Sequence, residues 1–236
     1  MQELLGLMRA AAEKYDMIDN GDRIAVGVSG GKDSLALLVG LCELRRFYGK
    51  EFSVTAITAD MCFGGVESDY SSIQSLCDSY GIEYVIKRTQ LGEIIFDVRR
   101  EENPCSLCAR MRRGILHDCA KAAGCNKIAL GHHLDDAAET FMMNLLNGGR
   151  AECFAPVTYL SRKDITMIRP MIFAREAQVA AAGRSRGLVP IKSKCPADGV
   201  TNRQRAKELL AELDTQYGKV PEKIIGALER GGINGW

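Results

Sequence analysis

From residue 22 onward, short apolar runs alternate with stretches of helical period. Arg23–Val28 reads as a strand, and Leu35–Val39 opens an apolar-periodic helix. Phe52–Thr58 reads as a second strand ending near Asp60, followed by a Gly64-Gly65 loop and a helix near Asp69–Tyr80. Ile82–Lys87 is a third strand and Lys127–Leu130 a fourth, before helical period resumes over Leu134–Leu146. Repeated strand–helix units predict an α/β fold, a doubly wound parallel sheet with helices on both faces, whose ligands sit beyond the carboxyl ends of the strands. Residues 1–18 read as an amphipathic helix. Leu91–Asn103 reads as a polar connection, and Asn147–Lys163, with Gly148-Gly149 and Pro156, as a loop. Arg203–Tyr217 and Pro221–Arg230 read as two helices, and Gly231–Trp236 as a loose tail. The simplest division is a main domain over 1–200 with a helical C-terminal extension over 201–236.

Composition narrows this little. A chain of 236 residues, 46% hydrophobic and 26% charged, fits one sizeable domain. No apolar run reaches the roughly 18 residues of a membrane span, and the acidic residues near the N-terminus do not suit a signal peptide. The net charge of +1 gives no argument for nucleic acid, although Arg45-Arg46, Arg99-Arg100, Arg110-Arg112-Arg113 and Arg203-Arg205-Lys207 form local basic clusters. Nine cysteines, an odd number, do not make a secreted disulfide framework. Cys42, Cys62, Cys77, Cys119, Cys125 and Cys153 read as small buried hydrophobes, and the compartment as the reducing cytoplasm.

Ser29-Gly30-Gly31-Lys32-Asp33-Ser34 lies between the first strand and its helix. A glycine turn at a helix N-terminus presents N–H groups and a favourable dipole to an anion, and Lys32 adds a cation. It is not a Walker A motif, because Asp33 follows Lys32 and Val26 holds the earlier glycine position. It resembles the PP-loop of ATP pyrophosphatases, which cleave ATP to AMP and pyrophosphate while adenylating a substrate. On that reading all six residues bind nucleotide, and Lys32 and Asp33 are also catalytic. Asp60 and Gly131 stand with them as nucleotide-binding candidates. In Gly131-His132-His133-Leu134-Asp135-Asp136, acids at a helix start either cap the helix or hold Mg²⁺ beside ATP phosphates. Asp136 is the first candidate for metal or proton handling and Asp135 the second. His132 is placed to contact the α-phosphate or to assist proton transfer.

Cys105-Ser106-Leu107-Cys108 is a CxxC motif entering a basic helix. Such a pair serves redox chemistry, zinc or iron–sulfur ligation, and a structural zinc site wants four ligands where no second CxxC exists. Cys195, among Lys192 and Lys194, is the other candidate ligand.

Taken in order, SGGKDS, NPCSLCARMRRGIL, ALGHHLDDAAETFMMNLLNGG, MIRPMIFARE and CPADGVTNRQR resemble the tRNA 2-thiocytidine synthetase family over nearly the whole chain. The resemblance implies an adenine nucleotide alpha hydrolase-like fold. It also implies a 4Fe–4S cluster on Cys105, Cys108 and Cys195, ATP with Mg²⁺, and thiolation of a cytidine in the tRNA anticodon loop. The implied partners are tRNA, a sulfur donor such as a cysteine desulfurase, and a second copy in a homodimer. The chain departs from the family in two ways. Lys192 stands where the family has the first cysteine of a second CxxC, and the chain is short. Two rival readings are another PP-loop reaction on a different base or small substrate, and a non-enzymatic cluster-bearing RNA-binding or redox-sensing protein. Lysidine formation needs no cluster. The uridine-thiolating group carries N-terminal zinc-finger cysteines, whereas here none precedes Cys42.

Overall fold

The computed structural model describes residues 1–95, 104–192, 195 and 202–236, leaving aside the side chains of 104–106 and 202. The sequence reading at 96–103, 193–194 and 196–201 lies outside the described residues.

In chain order the elements are α1 (Gln2–Lys14), β1 (Asp22–Gly27), α2 (Lys32–Leu44), β2 (Phe52–Asp60), α3 (Ser71–Tyr80), β3 (Glu83–Arg88), the single turn α4 (Leu91–Glu93), α5 (Pro104–Ala122), β4 (Lys127–Ala129), α6 (Leu134–Gly148), β5 (Val157–Leu160), β6 (Ile165–Ile168), α7 (Glu176–Ser185), α8 (Asn202–Tyr217) and α9 (Val220–Arg230). The strands form one sheet ordered β3-β2-β1-β4-β6-β5. All pairings are parallel except β5 with β6.

Side chains alternate across the sheet. Ile24, Val26, Val54, Ala56, Ala129 and Ile168 face a core shared with α1, α2, α6, α7 and α9. Ala25, Ile57, Ile128 and Met167 face the opposite way, against Leu116 and Ala120 of α5. Both faces are covered, so the central strands are apolar runs rather than alternating ones. The mostly parallel sheet with flanking helices agrees with the sequence reading.

Three regions differ from it. The stretch read as a loop over Asn147–Lys163 contains β5, which with β6 makes an antiparallel edge hairpin. Strand β5 is four residues long with Tyr159 exposed, too short for its alternation to stand out beside Gly148-Gly149 and Pro156. Helix α7 is a ten-residue element that the sequence reading did not assign. The tail is not loose. Trp236 is buried, its Nε1 donates to the Phe154 carbonyl at 2.9 Å, and its ring meets Tyr15 edge-on. The Asn234 carboxamide accepts from the Cys153 N–H. The tail is thereby tied across α1 to the segment entering β5. Among the described residues no helix is long and apolar enough to cross a membrane.

Trp236→Ala removes a buried ring and its hydrogen bond. It is predicted to destabilise the fold by about 3 kcal/mol, measured by urea unfolding. A loss under roughly 0.5 kcal/mol, the range of an exposed substitution, would restore the loose tail.

Candidate active site

The sheet order reverses between β1 and β4, and the loops leaving those two strands open the crevice where ligands of such sheets bind. The loop after β1 is Ser29–Gly31, running into α2. Gly30 has φ +83°, a left-handed conformation suited to glycine, and Gly31 is the extended N-cap residue. The loop braces itself: Ser34 Oγ donates to the Gly31 carbonyl at 2.9 Å and accepts from the Ser29 N–H at 3.2 Å. First-turn N–H groups of α2 have no intrahelical partner, so the crevice holds donors for an anion.

The loop after β4 is pressed against it. A Cβ on Gly131 would lie 3.2 Å from the Asp33 carbonyl carbon and 3.3 Å from the Ser34 nitrogen. His132 follows and lines the crevice. His133 caps α6 in a reciprocal capping box: the Asp136 N–H donates to His133 Nδ1, and the His133 N–H donates to Asp136 Oδ2 at 3.0 Å.

Two adjoining cavities share Ser29, Ala59 and Arg112. One, of about 340 Å³, is walled by Gly27, Ile57, Leu116 and Leu130, with Arg112, Arg113 and His132 lining it as well. The other, of about 210 Å³, is lined by Gly31, Asp60, Met61, Phe63, Lys192 and Cys195. The segment bearing Cys195 is fastened to the loop, since the Ile191 N–H donates to the Gly30 carbonyl at 2.9 Å. Cys108 is buried with Met61, and Phe63 packs on the same cluster; Met61 and Phe63 also line the cavity that Cys195 lines, so the turn after β2 neighbours both cysteines. Cys105 lies one turn earlier on α5, with its side chain outside the described residues. Of the six cysteines read as buried hydrophobes, all are buried except Cys119, which is half-buried. Asp60 is buried and holds that same turn, accepting from the N–H groups of Cys62 and Ser68.

The carboxylates have partners. Asp33 accepts from Lys32 Nζ at 2.8 Å. Asp135 accepts from Arg175 Nε at 2.9 Å and from the Glu176 N–H at 2.6 Å. Asp136 accepts from Arg203 at 2.6 Å as well as from His133. Arg175 also bonds Glu222 of α9. Asp136 is the acid that caps α6 with His133, whereas Asp135 ties α6 to Arg175 and the start of α7. Arg175, Arg203, Glu176 and Lys207 are the partners that sequence reasoning missed. Each pairs with a residue tens of positions away, and no local pattern signals that.

Burial sets the protonation states. His132 is pushed down to about 4 by burial and then by the Arg169 charge, so it is a neutral imidazole at neutral pH. Its Nδ1 is buried with no partner among the described residues. Arg169 is itself brought down to about 10 by burial, and its Cζ sits 4.8 Å from the Phe154 ring that His132 also packs against. Glu139, 5% exposed, is pushed up to about 7, first by burial and then by Asp136.

The geometry has counterparts among known proteins. The PP-loop domain family matches residues 7–204. A tRNA-cytidine(32) 2-sulfurtransferase from Syntrophotalea carbinolica is 38% identical, covering 91% of this chain and 83% of that protein. One from Geobacter metallireducens is 37% identical over 94% and 87%. Among solved structures, the U34-tRNA thiolase NcsA from Methanococcus maripaludis, with its 4Fe–4S cluster, superposes with a TM-score of 0.78. It is 26% identical, covering 96% of this chain and 78% of that one. An NH3-dependent NAD synthetase from Campylobacter jejuni, 19% identical with a TM-score of 0.51, shares the fold.

Glu139 gives a pH signature. Folded, it ionises near 7; unfolded, near the ordinary value of about 4.3. The folded state binds more protons between those values, so stability falls as pH rises through that window. Glu139→Gln is predicted to raise stability at pH 8.5 by about 1–3 kcal/mol relative to its effect at pH 4, read by urea unfolding. An equal effect at both pH values would contradict the shift.

Proposed function

This chain belongs to the PP-loop domain family, and we propose that it is an ATP-dependent tRNA sulfurtransferase that replaces the 2-oxygen of cytidine 32 with sulfur. The observation that carries the reading is an anion-binding loop, Ser29–Ser34, whose cavity is lined by Cys195 together with Met61 and Phe63, the residues that also pack with Cys108. The sulfurtransferase relatives and the thiolase fold support it.

The carbonyl oxygen of a pyrimidine is a poor leaving group. Attack by that oxygen on the α-phosphate of ATP forms an O–P bond and breaks the bond to pyrophosphate. Sulfur then attacks C2 and AMP departs. The loop and Lys32 hold the pyrophosphate portion and offset charge as it leaves. The cavity between Gly27, Ile57 and Leu130 is apolar and of a size for adenosine. Arg112 and Arg113 line it, where they meet phosphate or the incoming base. His132, neutral, donates a hydrogen bond from its one N–H to the α-phosphate without adding charge. The target base leaves its stack to enter, at a cost of a few kcal/mol, less in a flexible loop.

Cys105, Cys108 and Cys195 are the residues that would hold a 4Fe–4S cluster. The described pair fits one: Cys108 lies in apolar surroundings, and Cys195 lines the adjoining cavity. A cluster on three thiolates supplies one iron with an open position for sulfur. Magnesium at Asp135 or Asp136 would need Arg175 or Arg203 to release a carboxylate first. A tRNA substrate, a cysteine desulfurase as sulfur donor, a homodimer, cytoplasmic location and a helical extension from residue 201 complete the proposal.

Protein purified without oxygen should contain iron. With ATP, Mg²⁺, sulfide and bulk tRNA it should form 2-thiocytidine, read by nucleoside mass analysis. Thiouridine in its place would assign a different base, and a colourless protein carrying stoichiometric zinc would sink the cluster. Asp33→Ala should abolish AMP release yet leave the iron content intact. Cys195→Ala should lose the cluster while ATP binding persists, and a retained cluster would remove Cys195 from the ligand set.

A further inference from the structure

Beside the phosphate loop, one carboxylate joins two ammonium groups from distant elements. Glu176, the first residue of α7, lies with Oε1 3.0 Å from Lys32 Nζ of the loop. Its Oε2 lies 2.6 Å from Lys207 Nζ of α8. The geometry points to Lys207 as a second pyrophosphate-binding cation opposite Lys32, with the Glu176 carboxylate keeping the anion's place between them.

Two oxygens on one trigonal carbon, each facing an ammonium, present the same contacts as two oxygens of a phosphoryl group. The lysines come from opposite ends of the sequence, so local patterning does not bring them together. Glu176 joins them, and Arg203 on the preceding turn of α8 is tied to Asp136 at 2.6 Å, which fastens that end of the helix to α6. The Lys32 and Lys207 side chains are 39% and 47% exposed, and pairs so wetted contribute little. A pyrophosphate of higher charge, also held by the loop's N–H groups, can therefore displace the carboxylate. Asp33 keeps its own contact with Lys32, so Lys32 is not left without a carboxylate when Glu176 moves.

The assignment rests on the reading that Ser29–Ser34 hold the pyrophosphate portion of ATP. It is tested by calorimetric titration of the full chain with magnesium pyrophosphate, with thermal unfolding recorded alongside. Glu176→Gln removes the competing charge and keeps the side-chain shape, and should tighten binding about threefold or more. Lys207→Met should weaken it. Adding Lys207→Met to Glu176→Gln should cancel the gain, since the Glu176 charge no longer competes with the anion for Lys207. If Lys207→Met is without effect in the Glu176→Gln protein, Lys207 merely neutralises Glu176 and the assignment is overturned. Weaker binding by Glu176→Gln overturns it too. Pyrophosphate binding indifferent to Lys32→Met would overturn the reading of the loop along with it.

Discussion

Where the sheet reverses its order, the backbone of Gly131 lies against the first turn of α2. A Cβ there would meet three backbone atoms of Asp33 and Ser34 at 3.2–3.3 Å. Backbone cannot swing aside as the end of a side chain can, so the contact fixes the distance between the loops that leave β1 and β4. Everything proposed for the crevice depends on that distance. Ser29 and His132 line one cavity because of it, and Ile191 bonds to Gly30 on the same framework. Glycine is needed here for close approach, with no positive φ involved.

Around that contact the charges are arranged in ties between elements distant in sequence. Asp135 joins α6 to α7 through Arg175, which continues to Glu222 of α9. Asp136 joins α6 to α8 through Arg203, and Glu176 joins the phosphate loop to α8 through Lys207. Each is a partly exposed pair of modest stabilisation, so their value is in placement. Helix α8 follows the segment that carries Cys195, and Ile191 in that segment is bonded to the loop. The thiol-bearing segment is thereby flanked by two attachments to the nucleotide side of the site. Arg169 is different, a buried cation that donates to the Ala155 carbonyl and the Thr158 hydroxyl.

Much of this was legible in the chain. The central strands read cleanly because both faces of the sheet are covered and their runs are almost wholly apolar. The phosphate loop read cleanly because its six residues are contiguous and their chemistry is local. The edge hairpin did not, since β5 is four residues long and half exposed. The tail misled because Gly231, Gly232 and Gly235 outweigh Trp236 in composition, while one buried indole outweighs them in energy. The acids of α6 were placed on the correct turn, but the arginines that occupy them lie 40 and 67 residues away. Pairings of that kind leave no periodic trace.

The central claim is that the two loops form one nucleotide site because Gly131 admits the Asp33 backbone. Its most direct test is ATP affinity measured on Gly131→Ala by calorimetry, with circular dichroism confirming the fold. The added methyl must push the phosphate loop by a few tenths of an ångström, and misplacement on this scale at a reacting centre is costly. The account predicts ATP binding weakened by about tenfold or more in a protein that remains folded. Unaltered affinity in that folded protein would contradict it.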